Sequence, residues 1–287
     1  MKWNPLGVVF RTEDWAQTPT PLVMQDRVRI YYAARLLGKA YIRYVDLDID
    51  EPTKIIAGPS DRVLENGKPG CFDDEGQMPS FAESDGHNVT LYYSGWNSRN
   101  TIPYHNATGI AYSSNGGRTF TRKHDGPLLD RTQDEPYLRV TPCKESHRLW
   151  YVSGLRWEMI DGRYEPIYVI RRKNYNGENP VAIPQAFDRE CFSRPWVIKR
   201  DGRWVMTYSH RSAVDYRDGK NAYQLGYSES ENGEKWEWRW SVDLPRTPGF
   251  DDTMRCYAAT FDVKGKTYMV FNGNSFGRYG FALAVMQ

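Results

Sequence analysis

Residues Arg27–Arg35 (RVRIYYAAR) begin a pattern that returns as Asn88–Trp96 (NVTLYYSGW), His147–Leu155 (HRLWYVSGL), Arg203–Arg211 (RWVMTYSHR) and Lys266–Asn274 (KTYMVFNGN). Each copy has a polar start, a run of β-forming residues and a small or polar end. The copies start at positions 27, 88, 147, 203 and 266, so they are 61, 59, 56 and 63 residues apart. This period accommodates one four-stranded sheet per repeat and is slightly longer than a typical propeller blade.

Each copy has strand-like neighbours on both sides. Before it lies a strand that ends in a turn, as in PWVIKRDG and ATFDVKG, whose Asp-Gly and Lys-Gly pairs are typical of hairpins. After it comes another strand, for example YIRYVDLD or GFALAVMQ. The fourth strand of each repeat is weaker, and in the fourth repeat it is predicted at Trp236–Val242 (WEWRWSV).

This succession of antiparallel strands, with no long helical period, excludes a parallel α/β fold. One such sheet cannot bury both of its faces, whereas five sheets packed radially can. We therefore predict an all-β, five-bladed β-propeller, with residues 1–287 as a single domain. The segment near Gly7–Arg11 (GVVFR) is expected to share a sheet with the last strand, Gly280–Gln287, and to close the ring.

Composition and charge limit the possible partners. Aromatic residues make up 14% of the chain, and most are expected to fill the space between sheets. Exposed rings also suit sugar-binding clefts, because a flat ring covers the apolar C–H face of a pyranose. The net charge of +2, with both signs interspersed, predicts no nucleic-acid partner. No apolar stretch approaches the roughly 20 residues of a membrane span, so no membrane partner is predicted.

The cysteines and the N-terminus bear on the cellular compartment. The cysteines are widely spaced and are predicted to be reduced, buried thiols: Cys71, Cys143, Cys191 and Cys256. The start of the chain, Met1–Pro5, lacks the apolar core of a signal peptide, so a cytoplasmic location is expected. There is no H-E-x-x-H motif, P-loop or G-x-S-x-G motif, and neither a metal nor a cofactor is expected.

Carboxylates recur just before the innermost strand of three repeats, where a propeller brings distant residues to one opening. They are Asp73 and Asp74 in the second repeat, Glu135 in the third and Asp251 in the fifth. Glycosyl transfer needs one protonated and one ionised carboxyl group. We predict Asp74 and Glu135 as this acid/base pair, with Asp73 and Asp251 tuning it. The alternative is that these carboxylates only cap turns.

Candidate ligand-binding residues lie near strand ends that face the predicted opening. A cluster of arginines implies an anionic group in the ligand, such as a sugar carboxylate, a phosphate or a nucleotide-sugar pyrophosphate. The alternative is that the arginines pair with the nearby carboxylates. A histidine in a long loop of the second repeat and one ending a strand of the fourth are candidate acids or sugar ligands. The predicted substrate-binding residues are Arg35, Trp96, His105, Arg194, His210, Arg211, Arg255, Tyr257 and Arg278.

The segments FDDEGQMPSFAESDGHNVTLYYSGWN, PYHNATGIAYSSNGGRTF and FSRPWVIKRDGRWVMTYSHR resemble the five-bladed propeller glycosidase superfamily. That superfamily includes glycoside hydrolase families 43, 32 and 117 and the family 130 phosphorylases, and the resemblance covers nearly the whole chain. It implies acids on three blades, which by position are Asp73 or Asp74, Glu135, and Asp251 or Asp252. The chain lacks an Asn-Asp-Pro-Asn start, and the first blade has no clear axial acid unless Asp14 serves, so the acid set is incomplete or rearranged.

The predicted function is therefore a glycan-processing, glycoside hydrolase-like enzyme acting on a glycosidic or sugar-phosphate bond. A second hypothesis is a non-catalytic glycan-binding propeller, in which the carboxylates are locked to arginines. A third is a phosphorylase or transferase acting on nucleotide-linked or phosphorylated sugars in surface-polysaccharide metabolism, which the expected cytoplasmic location favours. In each case the partner is a carbohydrate or nucleotide-sugar small molecule, and the oligomeric state is left open.

Overall fold

The structure is a computed structural model that describes residues 1–174, 176–217, 219–237 and 240–287. Within these ranges the chain is almost entirely β-strand, with one short helix, α1 (Asn274–Gly277), and no helix long and apolar enough to cross a membrane. The strands are β1 (Trp3–Phe10), β2 (Gln17–Val23), β3 (Arg27–Leu36), β4 (Lys39–Asp48), β5 (Ile55–Ala57), β6 (Gly76–Ser84), β7 (Val89–Ser98), β8 (Tyr104–Ser113), β9 (Thr121–Arg122), β10 (Arg139–Glu145), β11 (Arg148–Ile160), β12 (Arg163–Lys173), β13 (Val181–Ile183), β14 (Glu190–Arg200), β15 (Arg203–Ser212), β16 (Gln224–Ser230), β17 (Trp240–Ser241), β18 (Cys256–Val263), β19 (Lys266–Asn272) and β20 (Phe281–Met286).

The strands form repeated antiparallel groups in which sequence neighbours pair. The groups β2–β5, β6–β9, β10–β13 and β14–β17 follow chain order, and β18–β20 take β1 as their fourth strand. The repeated sequence segments become the second strand of each group: β3, β7, β11, β15 and β19. Single parallel pairs, Ala40 with Gly76 and Ala107 with Arg139, join the first three groups into one sheet. The all-β prediction is confirmed.

The two ends of the chain meet in one sheet. β1 pairs antiparallel with β20, with Val8 opposite Ala282 and Phe10 opposite Phe281. Trp3, near the start of β1, is fully buried. The predicted pairing of the N-terminal segment with the last strand is therefore confirmed.

The predicted hairpins form with the expected turn chemistry. Asp201 and Gly202 have φ values of 49° and 77°, and Lys264 and Gly265 have 49° and 75°. Positive φ at both central residues is the signature of the tight turn that matches the twist of paired strands. The weak strand predicted at Trp236–Val242 is β17, which covers only Trp240–Ser241; Trp238 and Arg239 lie outside the described residues.

Aromatic rings fill the space between neighbouring groups, as their number in the sequence suggested. The rings of Phe10 and Tyr32 lie 5.1 Å apart, and those of Trp150 and Trp204 lie 5.5 Å apart. Each pair joins strands of different groups, so the aromatic content mainly serves the core. Three of the four free cysteines are buried as predicted; the prediction was wrong for Cys71, which is partly exposed in the loop before β6.

The first strands of the groups (β2, β6, β10, β14 and β18) contact one another in a cycle: β2 contacts β6 and β18, β10 contacts β6 and β14, and β14 contacts β18. Each has an irregularity in its pairing near its start. At four of these bulges a residue with a side chain has positive φ: Thr18, Thr141, Arg194 and Tyr257. Such bulges re-aim side chains, and unusual backbone angles cluster at functional sites.

Candidate functional site

The bulged starts of the first strands surround a cavity of about 370 Å³, named the central cavity. Every first strand contributes to its wall, through Gln17, Met78, Thr141, Ser193 and Tyr257. Its volume is in the range of small-molecule sites. The other lining residues are Trp15, Thr18, Arg35, Ser94, Trp96, Tyr104, Asn106, Leu138, Val140, Val152, Tyr168, Tyr216, Arg217, Tyr223 and Phe276.

The lining of the central cavity combines aromatic rings, neutral polar groups and guanidinium groups. Within the described ranges, neither Asp nor Glu lines it. Aromatic faces suit the C–H surface of a sugar ring, and guanidinium groups suit carboxylate or phosphate. The wall therefore offers both aromatic faces and guanidinium groups.

Two arginines contact Trp15 on one side of the cavity. The guanidinium carbon of Arg35 lies 5.1 Å from the ring centroid of Trp15, and that of Arg278 lies 6.0 Å away. Nε of Arg35 donates a hydrogen bond to Oε1 of Gln17 at 2.8 Å. In the part of the chain that the structure describes, neither arginine has a carboxylate at ion-pairing distance. Arg35 lines the central cavity, whereas Arg278 lies beside the lining residue Trp15.

Arg194, at the bulge of β14, is fully buried and joins three first strands. Its guanidinium donates hydrogen bonds to the carbonyl oxygens of Pro19 (3.0 Å) and Pro79 (2.9 Å) and to Oγ1 of Thr20 (2.9 Å). Burial lowers the pKa of Arg194 to about 10, which leaves it cationic at neutral pH. No carboxylate of the described residues pairs with it, so its charge adds positive potential beside the cavity-lining Ser193.

Arg211 is a second buried arginine, enclosed by tyrosines of the cavity wall. Its guanidinium carbon lies 3.6 Å from the ring centroid of Tyr216, 5.2 Å from that of Tyr168 and 5.4 Å from that of Tyr223. It donates a hydrogen bond to Oη of Tyr168 at 3.0 Å, and that oxygen lies 2.5 Å from Oη of Tyr223. The charge of Arg211 therefore lies directly behind the aromatic wall.

Glu165, on β12, binds two residues of the same wall. Oη of Tyr216 donates a hydrogen bond to Oε2 of Glu165 at 2.6 Å, and Nη2 of Arg217 lies 3.0 Å from both carboxylate oxygens. Glu165 itself is buried. Burial raises the pKa of Tyr216, so its phenol is protonated at neutral pH.

The predicted catalytic carboxylates do not line the central cavity. Asp73 is fully buried and accepts hydrogen bonds from Oη of Tyr93 and Nε of Arg122, both at 2.8 Å. Asp74 accepts a hydrogen bond from the backbone N–H of Gly70 at 2.7 Å, as a turn-capping carboxylate does. These adjacent residues are therefore held by separate partners.

Glu135 and Asp251 are each paired with an arginine. Glu135 accepts a hydrogen bond from Oη of Tyr151 at 2.8 Å and lies 3.3 Å from Nη2 of Arg139. Asp251 is buried and accepts a hydrogen bond from Nε of Arg255 at 2.6 Å. Both carboxylates thus have a counter-charge within the protein.

Eight of the nine predicted binding residues divide into three sets. Those that line the central cavity are Arg35, Trp96 and Tyr257. Three others lie beside lining residues. Arg194 follows Ser193 in the chain, the guanidinium of Arg211 contacts Tyr216, and that of Arg278 contacts Trp15. Those with other partners are Arg255, which pairs with Asp251, and His210, whose Nδ1 lies 3.4 Å from Oε1 of Glu190.

His105 lies on β8 rather than in the predicted loop, because that strand begins at Tyr104. It lines a second cavity of about 250 Å³ that shares Tyr104 and Leu138 with the central cavity. Nε2 of His105 lies 2.7 Å from Oδ1 of Asp130. Burial acts to raise the pKa of Asp130, but hydrogen bonds from His105 and from the backbone N–H of Arg131 lower it overall.

Sequence reasoning missed the aromatic wall and the glutamate behind it. Tyr216, Arg217 and Tyr223 lie between β15 and β16, in residues 213–223, and Glu165 and Tyr168 lie on β12. The length of this connection was the signal in the sequence, because a tight hairpin turn would suffice to join β15 to β16. A long connection that carries aromatic and charged residues indicates a functional loop.

No protein-family model matches the chain. "Uncharacterized protein Rv1502" of Mycobacterium tuberculosis (strain H37Rv) is 28% identical over 314 residues, with 100% of both chains covered. Among solved structures, a BT0996 complex with RGII has a TM-score of 0.74 and 14% identity, covering 99% of this chain and 91% of that one.

Two further solved structures are also similar. "Crystal structure of a thermostable family-43 glycoside hydrolase" has a TM-score of 0.65 and 13% identity, covering 94% of this chain and 88% of that one. "The crystal structure of endo-arabinase from Bacteroides thetaiotaomicron VPI-5482" has a TM-score of 0.60 and 16% identity, covering 98% of both. The chain therefore shares the fold of these glycoside hydrolases, and the predicted resemblance is confirmed at the level of the fold.

Proposed function

We propose that this protein is a glycosidase-like, carbohydrate-processing enzyme whose substrate carries an anionic sugar bound in the central cavity. The observation that carries the proposal is the lining of the cavity by aromatic rings and guanidinium groups. Among the described residues, no carboxylate lines the cavity. Aromatic faces cover the C–H surface of a pyranose, and guanidinium groups bind carboxylate or phosphate through paired hydrogen bonds. The buried charges of Arg194 and Arg211 strengthen the attraction for an anion.

The fold supports chemistry on a glycosidic bond. Similar solved structures are named as a glycoside hydrolase and an endo-arabinase, which raises the expectation by analogy of fold alone. We further propose that the antiparallel groups are the blades of a five-bladed β-propeller and that residues 1–287 form a single domain. The cyclic contacts of the first strands and the pairing of β1 with β20 support this architecture.

Thermal unfolding with a panel of sugars tests the ligand class. The panel contains uronic acid oligosaccharides, sugar 1-phosphates and nucleoside diphosphate sugars, each beside its neutral counterpart. A ligand at about 100 times its Kd stabilises a protein by about 2.7 kcal/mol. We expect a higher Tm with at least one anionic class, an effect that added salt weakens, and no change with the neutral counterpart. Stabilisation by neutral sugars alone contradicts the proposal.

The acid/base roles of Asp74 and Glu135 stay predictions. Asp74→Asn and Glu135→Gln test them, with Glu51→Gln, an exposed glutamate, as the control. Loss of turnover with retained binding supports the pair, whereas full activity in either variant rules out the role of that residue.

A non-catalytic sugar-binding protein is the second candidate. One observation favours it: Asp73, Glu135 and Asp251 each have an arginine partner, and they do not face the central cavity. Binding of an anionic sugar without any product after long incubation, followed by mass spectrometry, would select this candidate. Product that forms only when phosphate or an acceptor sugar is added would instead indicate a phosphorylase or a transferase.

A further inference from the structure

A tyrosine and an arginine from the connection between β15 and β16 meet a glutamate of β12. Tyr216 donates a hydrogen bond to Glu165 at 2.6 Å, and Arg217 holds both oxygens of that carboxylate at 3.0 Å. Tyr216 and Arg217 line the central cavity, and Glu165 is buried behind them. A weak nucleophile, a base within hydrogen-bond distance and a third group that orients the base are the parts of an activated nucleophile.

We propose that Tyr216 is the nucleophile of this enzyme and that Glu165 is its general base. The inference rests on the proposed function, because it requires an anionic sugar in the central cavity. Tyrosine replaces the usual carboxylate nucleophile in some glycosidases. Here the replacement has an electrostatic reason: a neutral phenol does not repel an anionic substrate, whereas a carboxylate at the same distance does.

The reaction proceeds by two displacements at one carbon. Oη of Tyr216 attacks the anomeric carbon and its proton passes to Glu165, while the bond to the leaving oxygen breaks and that oxygen departs with the electron pair. Glu165 keeps this proton, and the leaving oxygen takes one from solvent. In the second step water attacks the anomeric carbon from the face that the leaving group vacated and releases a proton to solvent. Glu165 returns its proton to Oη of Tyr216 as the bond between that oxygen and the sugar breaks. The anomeric configuration is retained.

The surroundings of Tyr216 fit this role. Burial raises the pKa of Tyr216, so the residue rests as a phenol and needs a base at the moment of attack. The guanidinium of Arg211, 3.6 Å from the Tyr216 ring centroid, stabilises negative charge that develops on the phenol. Base and electrostatic stabiliser are thus both in place before a substrate binds.

Replacing the nucleophile tests the role directly. Tyr216→Phe keeps the ring and removes the oxygen, and we expect turnover of the anionic substrate to fall about a thousandfold or more with binding nearly unchanged. Tyr92→Phe is the matched control, because Tyr92 donates to Glu83 at 3.3 Å, Lys144 holds that glutamate, and Tyr92 does not line the central cavity. The control is expected to keep wild-type turnover.

A covalent probe separates a nucleophile from a residue that only shapes the cavity. Incubation with 2-deoxy-2-fluoro-glycuronosyl fluorides is expected to add one glycosyl group to the wild type, located on the peptide containing Tyr216, and none to Tyr216→Phe. The first product, followed by NMR, is expected to retain its anomeric configuration.

The outcomes distinguish this inference from the proposed function. Labelling of another residue, inversion of configuration or wild-type turnover by Tyr216→Phe overturns the nucleophile and leaves the proposed function standing. A wild type that binds anionic sugars but turns over none also overturns the nucleophile and selects the binding protein. A wild type that no anionic sugar stabilises overturns the proposed function, and the nucleophile with it.

Discussion

The charged residues around the central cavity differ in whether they have a partner of opposite charge. Asp73, Glu135 and Asp251 have arginine partners, whereas Arg194 is buried beside carbonyl oxygens and a hydroxyl group. Burying an unpaired guanidinium costs free energy, although hydrogen bonds to carbonyl oxygens reduce that cost. The anionic ligand proposed for the adjacent central cavity would offset part of the remaining cost.

Arg35 offers a direct test at this scale. Arg35→Ala removes a guanidinium at Trp15, and we expect it to weaken binding of the anionic sugar about 10- to 100-fold, as loss of a charged hydrogen bond does. Calorimetric titration at two salt concentrations measures the effect, which should shrink as salt rises. Arg62→Ala is the control, since Arg62 pairs with Glu65 outside the cavity. Equal loss of affinity in both variants would argue against a specific anion contact.

Asp130 predicts a pH effect on stability. His105 and the backbone N–H of Arg131 lower the pKa of Asp130 below the ordinary value of 3.8 for an aspartate. A depressed folded pKa stabilises the protein above the unfolded pKa, and this contribution disappears as pH falls through the folded value. Asp130→Asn should therefore be less stable than the wild type at pH 6, by about 1 kcal/mol or less because the Asp130 carboxylate is partly exposed.

Urea unfolding of the wild type and Asp130→Asn at pH 6 and pH 3 measures this difference, which should shrink at the lower pH. The exposed Asp61→Asn is the control, because it makes the same chemical change at an aspartate that does not contact His105. A gap between wild type and Asp130→Asn that widens on acidification is incompatible with the depressed pKa.

At the scale of secondary-structure elements, the junctions between strands control the shape of the central cavity. Gly76 begins β6 and pairs with Ala40 of β4, where the first and second groups join. A Cβ at Gly76 would contact Nε1 of Trp96 and lie 2.9 Å from the backbone nitrogen of Ala40. Backbone cannot yield as a flexible side chain can, so glycine is required for this close approach.

Gly76→Ala is therefore expected to displace Trp96 from the cavity wall. The extra methyl group should lower the free energy of unfolding by about 1–3 kcal/mol, and movement of Trp96 should weaken sugar binding. Chemical denaturation and titration measure the two effects separately. Gly126→Ala serves for comparison, because a Cβ there meets nothing within 4 Å. Unchanged stability and binding in Gly76→Ala would contradict the close contact.

At the scale of the whole molecule, the last antiparallel group combines strands from opposite ends of the chain. β1 supplies the fourth strand to β18–β20 and buries Trp3 and Phe10. Without it, β20 would present an unpaired edge, which promotes aggregation.

Deletion of residues 1–10 tests the contribution of this pairing. Loss of two large buried aromatic side chains alone costs about 3–5 kcal/mol each, so we expect a much lower Tm and self-association. Differential scanning calorimetry and light scattering measure both. Leu37→Ala, at a side chain that is 93% exposed, is the control and should have little effect. A deletion variant as stable and monodisperse as the control would show that the N-terminal strand is dispensable.

The strands and their antiparallel order were predictable from the sequence, because they depend on local preferences. The β-forming runs became β3, β7, β11, β15 and β19, and the Asp201-Gly202 and Lys264-Gly265 pairs formed the expected turns. Pairing of the segment near Gly7–Arg11 with the strand at Gly280–Gln287 was also predicted from the sequence. Turn chemistry and strand periodicity act over a few residues and need no knowledge of distant contacts.

Which residues form the site, in contrast, depends on contacts between residues that are far apart in the sequence. Arg35 and Tyr257 were foreseen as cavity residues, but Tyr216 meets Glu165 across 51 residues of sequence. A bulge with positive φ, as at Thr141, breaks the two-residue alternation from which side-chain direction is read. The packing of neighbouring sheets decides which carboxylate pairs with an arginine and which arginine faces the cavity. No local sequence pattern contains this information.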